Sequence, residues 1–219
     1  MANRKSEQKG APLDQRTLRK AERTRQAILD TALKFLWSKP FRDLNVSELM
    51  EQVGVSRPVF YQYFPDLHAL MECLLKDLEQ EILEVADPWL STADDGASRL
   101  GVSIWGLVQV CHQQGPIIRA VAEAAPMDQR LEKTWRKFLK VFDGAVADRI
   151  RRDQAQGVVS NFDPLAMAIA LNRMDVATFI HHFGQRPRSK PGPVFETISR
   201  LWVCTIYGED ALDAIEKPC

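Results

Sequence analysis

Apolar residues recur at intervals of three and four along nearly the whole sequence, and no stretch alternates apolar with polar over the length of a strand. That pattern confines the chain to an all-α fold in which each helix buries one stripe. With 219 residues there is room for one large domain, or for a small one joined to a medium one. Residues 1–14, with Gly10 and Pro12 and little that is apolar, read as an arm.

The first helix is expected over 17–38, with Ala21, Ile28, Ala32, Phe35 and Leu36 on one stripe and Pro40 as its stop. Asn45 caps a short second helix, with Glu48 three residues on as in a loose capping box. Val46, Leu49, Met50 and Val53 form its buried face, and Gly54 supplies a left-handed C-cap. A brief third helix starts from Ser56 as N-cap, tolerates Pro58 in its first turn, and ends at Phe64-Pro65. Asp66 then caps a long fourth helix that carries Leu70, Leu74, Leu78, Ile82 and Val85 on one face as far as Pro88. Further helices are expected at 98–114, 116–124, 128–156, 164–183 and 194–207, about nine in all. Asp163-Pro164 opens the helix that Gly184 closes, and the basic, proline-containing stretch 184–193 is a loop. The layout is an N-terminal three-helix module over 1–65, linked by the fourth helix to a larger helical body over 66–219.

The formal net charge is zero, so nothing global announces a polyanion as partner. Locally, Arg4, Lys5, Lys9, Arg16, Arg19, Lys20, Arg23 and Arg25 face only Glu7, Asp14 and Glu22, which suits one end of the chain to a polyanion or to a solvated leader. Cys73, Cys111 and Cys204 read as buried thiols and Cys219 is terminal, with no zinc-ligand spacing among them. No metalloprotease, nucleophile-elbow or phosphate-loop motif is present. His181 and His182 are adjacent and so point about 100° apart on a helix, while His68 and His112 stand alone. Neither catalysis, nor a metal, nor a cofactor is expected. The polar start and the shortness of the apolar run 102–111 point to a cytoplasmic protein without a membrane span.

Two short helices joined by Gly54-Val55-Ser56 make a helix-turn-helix, with Val55 expected under the turn. The third helix, Ser56-Arg57-Pro58-Val59-Phe60-Tyr61-Gln62-Tyr63-Phe64, is aromatic and nearly uncharged. Phe60 and Phe64 are four apart and anchor it inward. Tyr61 and Tyr63 then offer hydroxyls to phosphates, Arg57 matches a guanine edge and Gln62 an adenine edge. The competing reading is that the tyrosines only complete a core.

The run from Asn45-Val46-Ser47-Glu48-Leu49 through Gly54-Val55-Ser56-Arg57 to Tyr63-Phe64 resembles the DNA-binding signature of the TetR/AcrR family of bacterial regulators. The resemblance implies a helical homodimer whose first three helices bind DNA and whose remaining helices form a ligand pocket and a dimer interface. Carried across by position, it nominates Asn45, Ser47, Ser56, Arg57, Val59, Tyr61, Gln62 and Tyr63 as DNA contacts. Where many members have a phosphate-holding lysine early in the fourth helix, this chain has Leu67. His68, the helix amides, or the cluster Arg16, Arg19, Lys20 and Arg23 are the candidate replacements.

The segments Ala170-Leu171-Asn172-Arg173-Met174 and Leu201-Trp202-Val203-Cys204 are similar to the EthR-type branch of mycobacterial repressors. That resemblance implies a deep, mostly apolar pocket with Asn172 and Asp175 facing the ligand. Asp175 stands where the branch has a second asparagine. It would favour a ligand with a donor or a cation, or pair with Arg173 or another base outside the pocket. Trp105, Trp135, Phe138, Phe142, Phe179 and Trp202 are the large apolar candidates for its walls, or for plain core. The implied function is a repressor on a palindromic double-stranded DNA operator, released by a small hydrophobic effector.

Overall fold

The computed structural model describes residues 15–92 and 96–215. The expected arm and Cys219 lie outside them. Among the described residues the chain is helical without a strand. Its helices are α1 (Gln15–Leu36), α2 (Val46–Val53), α3 (Arg57–Tyr63), α4 (Leu67–Leu90), α5 (Gly96–Ala124), α6 (Gln129–Ala155), α7 (Pro164–Phe183) and α8 (Pro191–Ile206), with three short 3₁₀ segments.

Local chemistry sets most of the helix ends. The side chains of Asn45, Asp66, Asp128 and Asp163 each accept from backbone N–H groups of the helix they precede. Gly54 ends α2 at φ 80°, a left-handed conformation that glycine adopts without strain. Ser56 holds the N-cap position of α3 on extended backbone but makes no side-chain cap bond.

Three boundaries differ from expectation because prolines are accommodated rather than obeyed. Pro88 sits inside the last turn of α4, which runs on to Leu90. Pro191 opens α8 in the first turn, three residues earlier than expected, where a missing N–H costs nothing. The helices expected at 98–114 and 116–124 are one continuous α5 that passes through Pro116. A proline inside a helix leaves the carbonyl four residues back without its partner. Here that carbonyl is His112 O, and the Arg188 guanidinium donates to it.

One contiguous core runs through the molecule. Ile28, Leu36, Leu49, Met50, Phe60 and Phe64 close the three-helix module, and Leu70, Met71, Leu75 and Leu78 carry the apolar contact along α4 into the body. Each such side chain, fully buried, contributes about 1.5–3 kcal/mol. Gly115 lets α5 cross close to the end of α7, since a Cβ there would lie 2.4 Å from Phe183 O.

α6 grips α4 at both ends. Near the start of α4, Arg130 donates to both oxygens of Glu72, at 2.7 and 2.8 Å, and to Asp66 at 2.8 Å. His68 meets Asp128 at 2.5 Å. At the far end the fully buried Arg149 donates to both oxygens of Asp153, to Trp89 O and to Thr92 O. Tyr207 donates to Asp153 at 2.7 Å and accepts from Trp89 Nε1 at 2.8 Å. A buried ion pair is costly unless its polar atoms are engaged, and here the carboxylate and guanidinium share several partners.

Candidate nucleic-acid interface and interior cavity

The turn after α2 and the length of α3 present a polar face to solvent. Ser47, Ser56, Arg57, Tyr61 and Gln62 are exposed and Asn45 is half-exposed. Phe60 and Phe64 point inward, 5.6 Å apart, and seat the helix on the module core. Val59 and Tyr63 are half-buried against that core, so they support the face while lying at its edge. Arg57 donates to Tyr61 Oη at 3.2 Å, with its guanidinium 5.9 Å from the ring centre. Val55, expected under the turn, is exposed instead: its N–H bonds back to Met50 O, and the left-handed Gly54 turns the side chain outward.

The departure at Leu67 is not repaired by its neighbours. Leu67 packs against the core. His68 is held by Asp128, and the Asp66 carboxylate already caps the first turn of α4 while Arg130 grips it. The exposed basic residues of α1, Arg16, Arg19, Lys20 and Arg23, remain as the nearby source of positive charge.

Inside the body, α4, α5, α6 and α7 enclose a cavity of two adjoining lobes. The first, about 60 Å³, is lined by Ile82, Leu107, Cys111, Ile118, Phe138, Leu139, Phe142, Asn172, Asp175, Val176 and Phe179. The second, also about 60 Å³, extends past Trp89, Leu100, Ser103, Ile104 and Val146 to Trp202 on α8. Ile82, Leu107, Phe142, Asn172 and Asp175 belong to both walls. The structure therefore brings together Phe138, Phe142, Asn172, Asp175, Phe179 and Trp202. It leaves out two expected residues. Trp105 packs edge-on against Phe195 at 5.3 Å, and Trp135 stacks behind Phe138 at 5.3 Å.

Asp175 is buried and accepts from Trp202 Nε1 at 3.1 Å on each carboxylate oxygen. Burial pushes its pKa up to about 7, against which the indole hydrogen bond works. Burial, reinforced by the charge of Asp175, holds the Cys111 thiol well above its ordinary range. Arg173 does not pair with Asp175; it grips Asp143 at 2.7 Å, and Asn172 Nδ2 donates to the same carboxylate at 3.0 Å.

Wall residues absent from the expected set include Ile82, Trp89 and Cys111. Ile82 lies on the predicted stripe of the fourth helix, where a stripe alone does not separate core from cavity. Trp89 follows Pro88, the residue expected to end that helix. Cys73 and Cys204 are half-buried, and among the described cysteines only Cys111 is fully so. Among the described residues no group of three or more His, Cys, Asp or Glu is placed to hold a metal, and no helix is long and apolar enough to cross a membrane.

Both halves of this architecture match known proteins. Residues 28–73 match the family "Bacterial regulatory proteins, tetR family", and residues 101–208 match "Transcriptional regulator EthR, C-terminal domain". The HTH-type transcriptional regulator EthR of Mycobacterium tuberculosis is 28% identical over 217 residues, covering 96% of this chain and 100% of its own. Among solved structures, a TetR-family regulator from Syntrophomonas wolfei superposes with a TM-score of 0.71 at 16% identity, over 84% of this chain and 95% of that one. The structure of AibR in complex with isovaleryl coenzyme A and operator DNA does so with a TM-score of 0.64 at 14% identity, over 84% and 98%. An exposed aromatic helix after a glycine turn, carried by a helical body of this kind, has one reading with these matches: over nearly its whole length the chain is similar to the EthR-like helix-turn-helix transcriptional regulators of the TetR family.

Proposed function

We propose that the protein is a homodimeric, cytoplasmic repressor that sits on a palindromic operator and leaves it when a small, mostly apolar effector fills the cavity. Residues 1–65 read the DNA in this account, and 66–219 bind effector and partner. The observation that carries the reading is the position of α4. It begins shortly after the recognition helix α3 and, further along, its Ile82, Ala86, Trp89 and Leu90 form cavity wall. A ligand pressing on that wall displaces the helix from which the DNA-reading module hangs.

Two copies must place their α3 helices about 34–36 Å apart to enter successive major grooves. A ligand that fits only one spacing shifts the equilibrium by its differential affinity. Leu165 and Ile169 on α7 and Leu201 on α8 are exposed apolar side chains, which supports pairing through these two helices. AibR, solved in complex with isovaleryl coenzyme A and operator DNA, has this fold, and that supports both kinds of ligand for the present chain.

The test is selection of bound fragments from genomic DNA, followed by gel shift on the recovered operator. Tyr61→Phe is expected to weaken binding to all sequences, and Arg57→Ala to relax preference at one base pair by about 1–3 kcal/mol. Equal operator binding by wild type and both variants overturns the assignment of α3. Candidate effectors that fill the cavity yet tighten the complex overturn the repressor reading.

A further inference from the structure

The cavity carries a charge pattern that an apolar pocket does not need. Its polar lining points one way. Asp175 is 5% exposed, and its hydrogen bonds come from the neutral indole of Trp202. Asn172 gives one of the two N–H groups of Nδ2 to Asp143, which leaves its amide oxygen to accept. The Ser103 hydroxyl is engaged already, donating to Ala86 O and accepting from Trp89 N. Among the described residues no lysine, arginine or histidine lines either lobe, and Arg173, the basic residue nearest in sequence, is spent on Asp143.

A carboxylate in such surroundings is strongly disfavoured unless something positive meets it. Its raised pKa, about 7, is the expression of that missing partner. Around it stand the rings of Phe138, Phe142 and Phe179, which can attract a cation through their faces. Acceptors plus aromatic rings, with no basic side chain, are the complement of a protonated amine on an apolar body. They are the opposite of what a fatty acid or an acyl phosphate requires.

We propose that the effector is a lipophilic cation whose ammonium group sits against Asp175 and the Asn172 amide oxygen, with its apolar part in the aromatic lobe. This inference rests on the cavity being the effector site.

Three probes of one shape separate the possibilities: phenylbutylamine, phenylbutanol and phenylbutanoate, titrated into the purified protein near neutral pH and followed by calorimetry. In the wild type the amine is expected to bind at least ~10-fold tighter than the alcohol, and the carboxylate weakest. Asp175→Asn keeps an acceptor for Trp202 but no charge, and is expected to bring the amine down to the alcohol's level. Equal binding of amine and alcohol by the wild type overturns the inference while leaving the cavity as an effector site. So does an amine preference that survives in Asp175→Asn. Binding of none of the three overturns both.

Discussion

Asp175 ties the stability of the fold to the ligand chemistry proposed for its cavity. Burial raises its pKa to about 7, so between about pH 4 and 7 the native state holds a proton that the unfolded chain has released. Its favourable contribution is complete below the unfolded value and is lost as pH rises through 7. Asp175→Asn removes the titration and keeps the indole hydrogen bond. It is expected to stabilise the protein by roughly 2–4 kcal/mol at pH 8, with the gain vanishing near pH 4. Thermal unfolding across that range checks this, and a gain independent of pH would show that Asp175 is not buried as an unpaired carboxylate. On α3 the same residue-scale logic links Arg57 to Tyr61, because the guanidinium that would meet a base edge is steadied by the neighbouring phenol.

At the scale of elements, α5 and α6 are the frame on which α4 and α7 are mounted. Gly115 and Gly144 are both helical glycines, yet their surroundings oppose one another. A Cβ at Gly115 meets the Phe183 backbone, whereas one at Gly144 meets nothing within 4 Å. Gly115→Ala is therefore expected to destabilise by about 1–3 kcal/mol, since backbone cannot swing aside as a side chain can. Gly144→Ala is expected to stabilise by about 0.5–1 kcal/mol through helix propensity alone. Urea unfolding of the two variants tests the crossing of α5 and α7 directly: changes of the same sign would mean that the close approach does not exist. The clamp of Arg130 on Glu72 and Asp66 is partly exposed, so its role is to fix the angle of α4 more than to add stability.

For the whole molecule, the proposed function depends on pairing. Ile169 on α7 and Leu201 on α8 are large apolar side chains left 39% and 44% exposed. Ile169→Glu together with Leu201→Glu is expected to leave the helical signal intact, convert dimers to monomers, and abolish tight operator binding. Sedimentation and gel shift on the same samples check this, and a double variant that remains dimeric would place the interface elsewhere. The loss of DNA binding follows from symmetry, since a palindrome is read by two copies at a fixed separation.

The chain by itself determined the features that act over a few residues. Asn45, Gly54, Asp66 and Asp163 meet partners within four positions, so the caps and the glycine turn follow from neighbours along the backbone. The inward Phe60 and Phe64 and the outward Arg57, Tyr61 and Gln62 follow from the period of one short helix. Only the tertiary structure decided what depends on distant partners. Pro116 continues α5 because Arg188 comes back to satisfy His112, 76 residues earlier. Arg173 turns to Asp143 on α6 and leaves Asp175 to Trp202 on α8. Trp89 lines the cavity while Trp105 and Trp135 do not. An apolar stripe states that a face is buried. Whether it meets another side chain or an opening is settled by how whole helices interlock, because interiors are otherwise packed without voids.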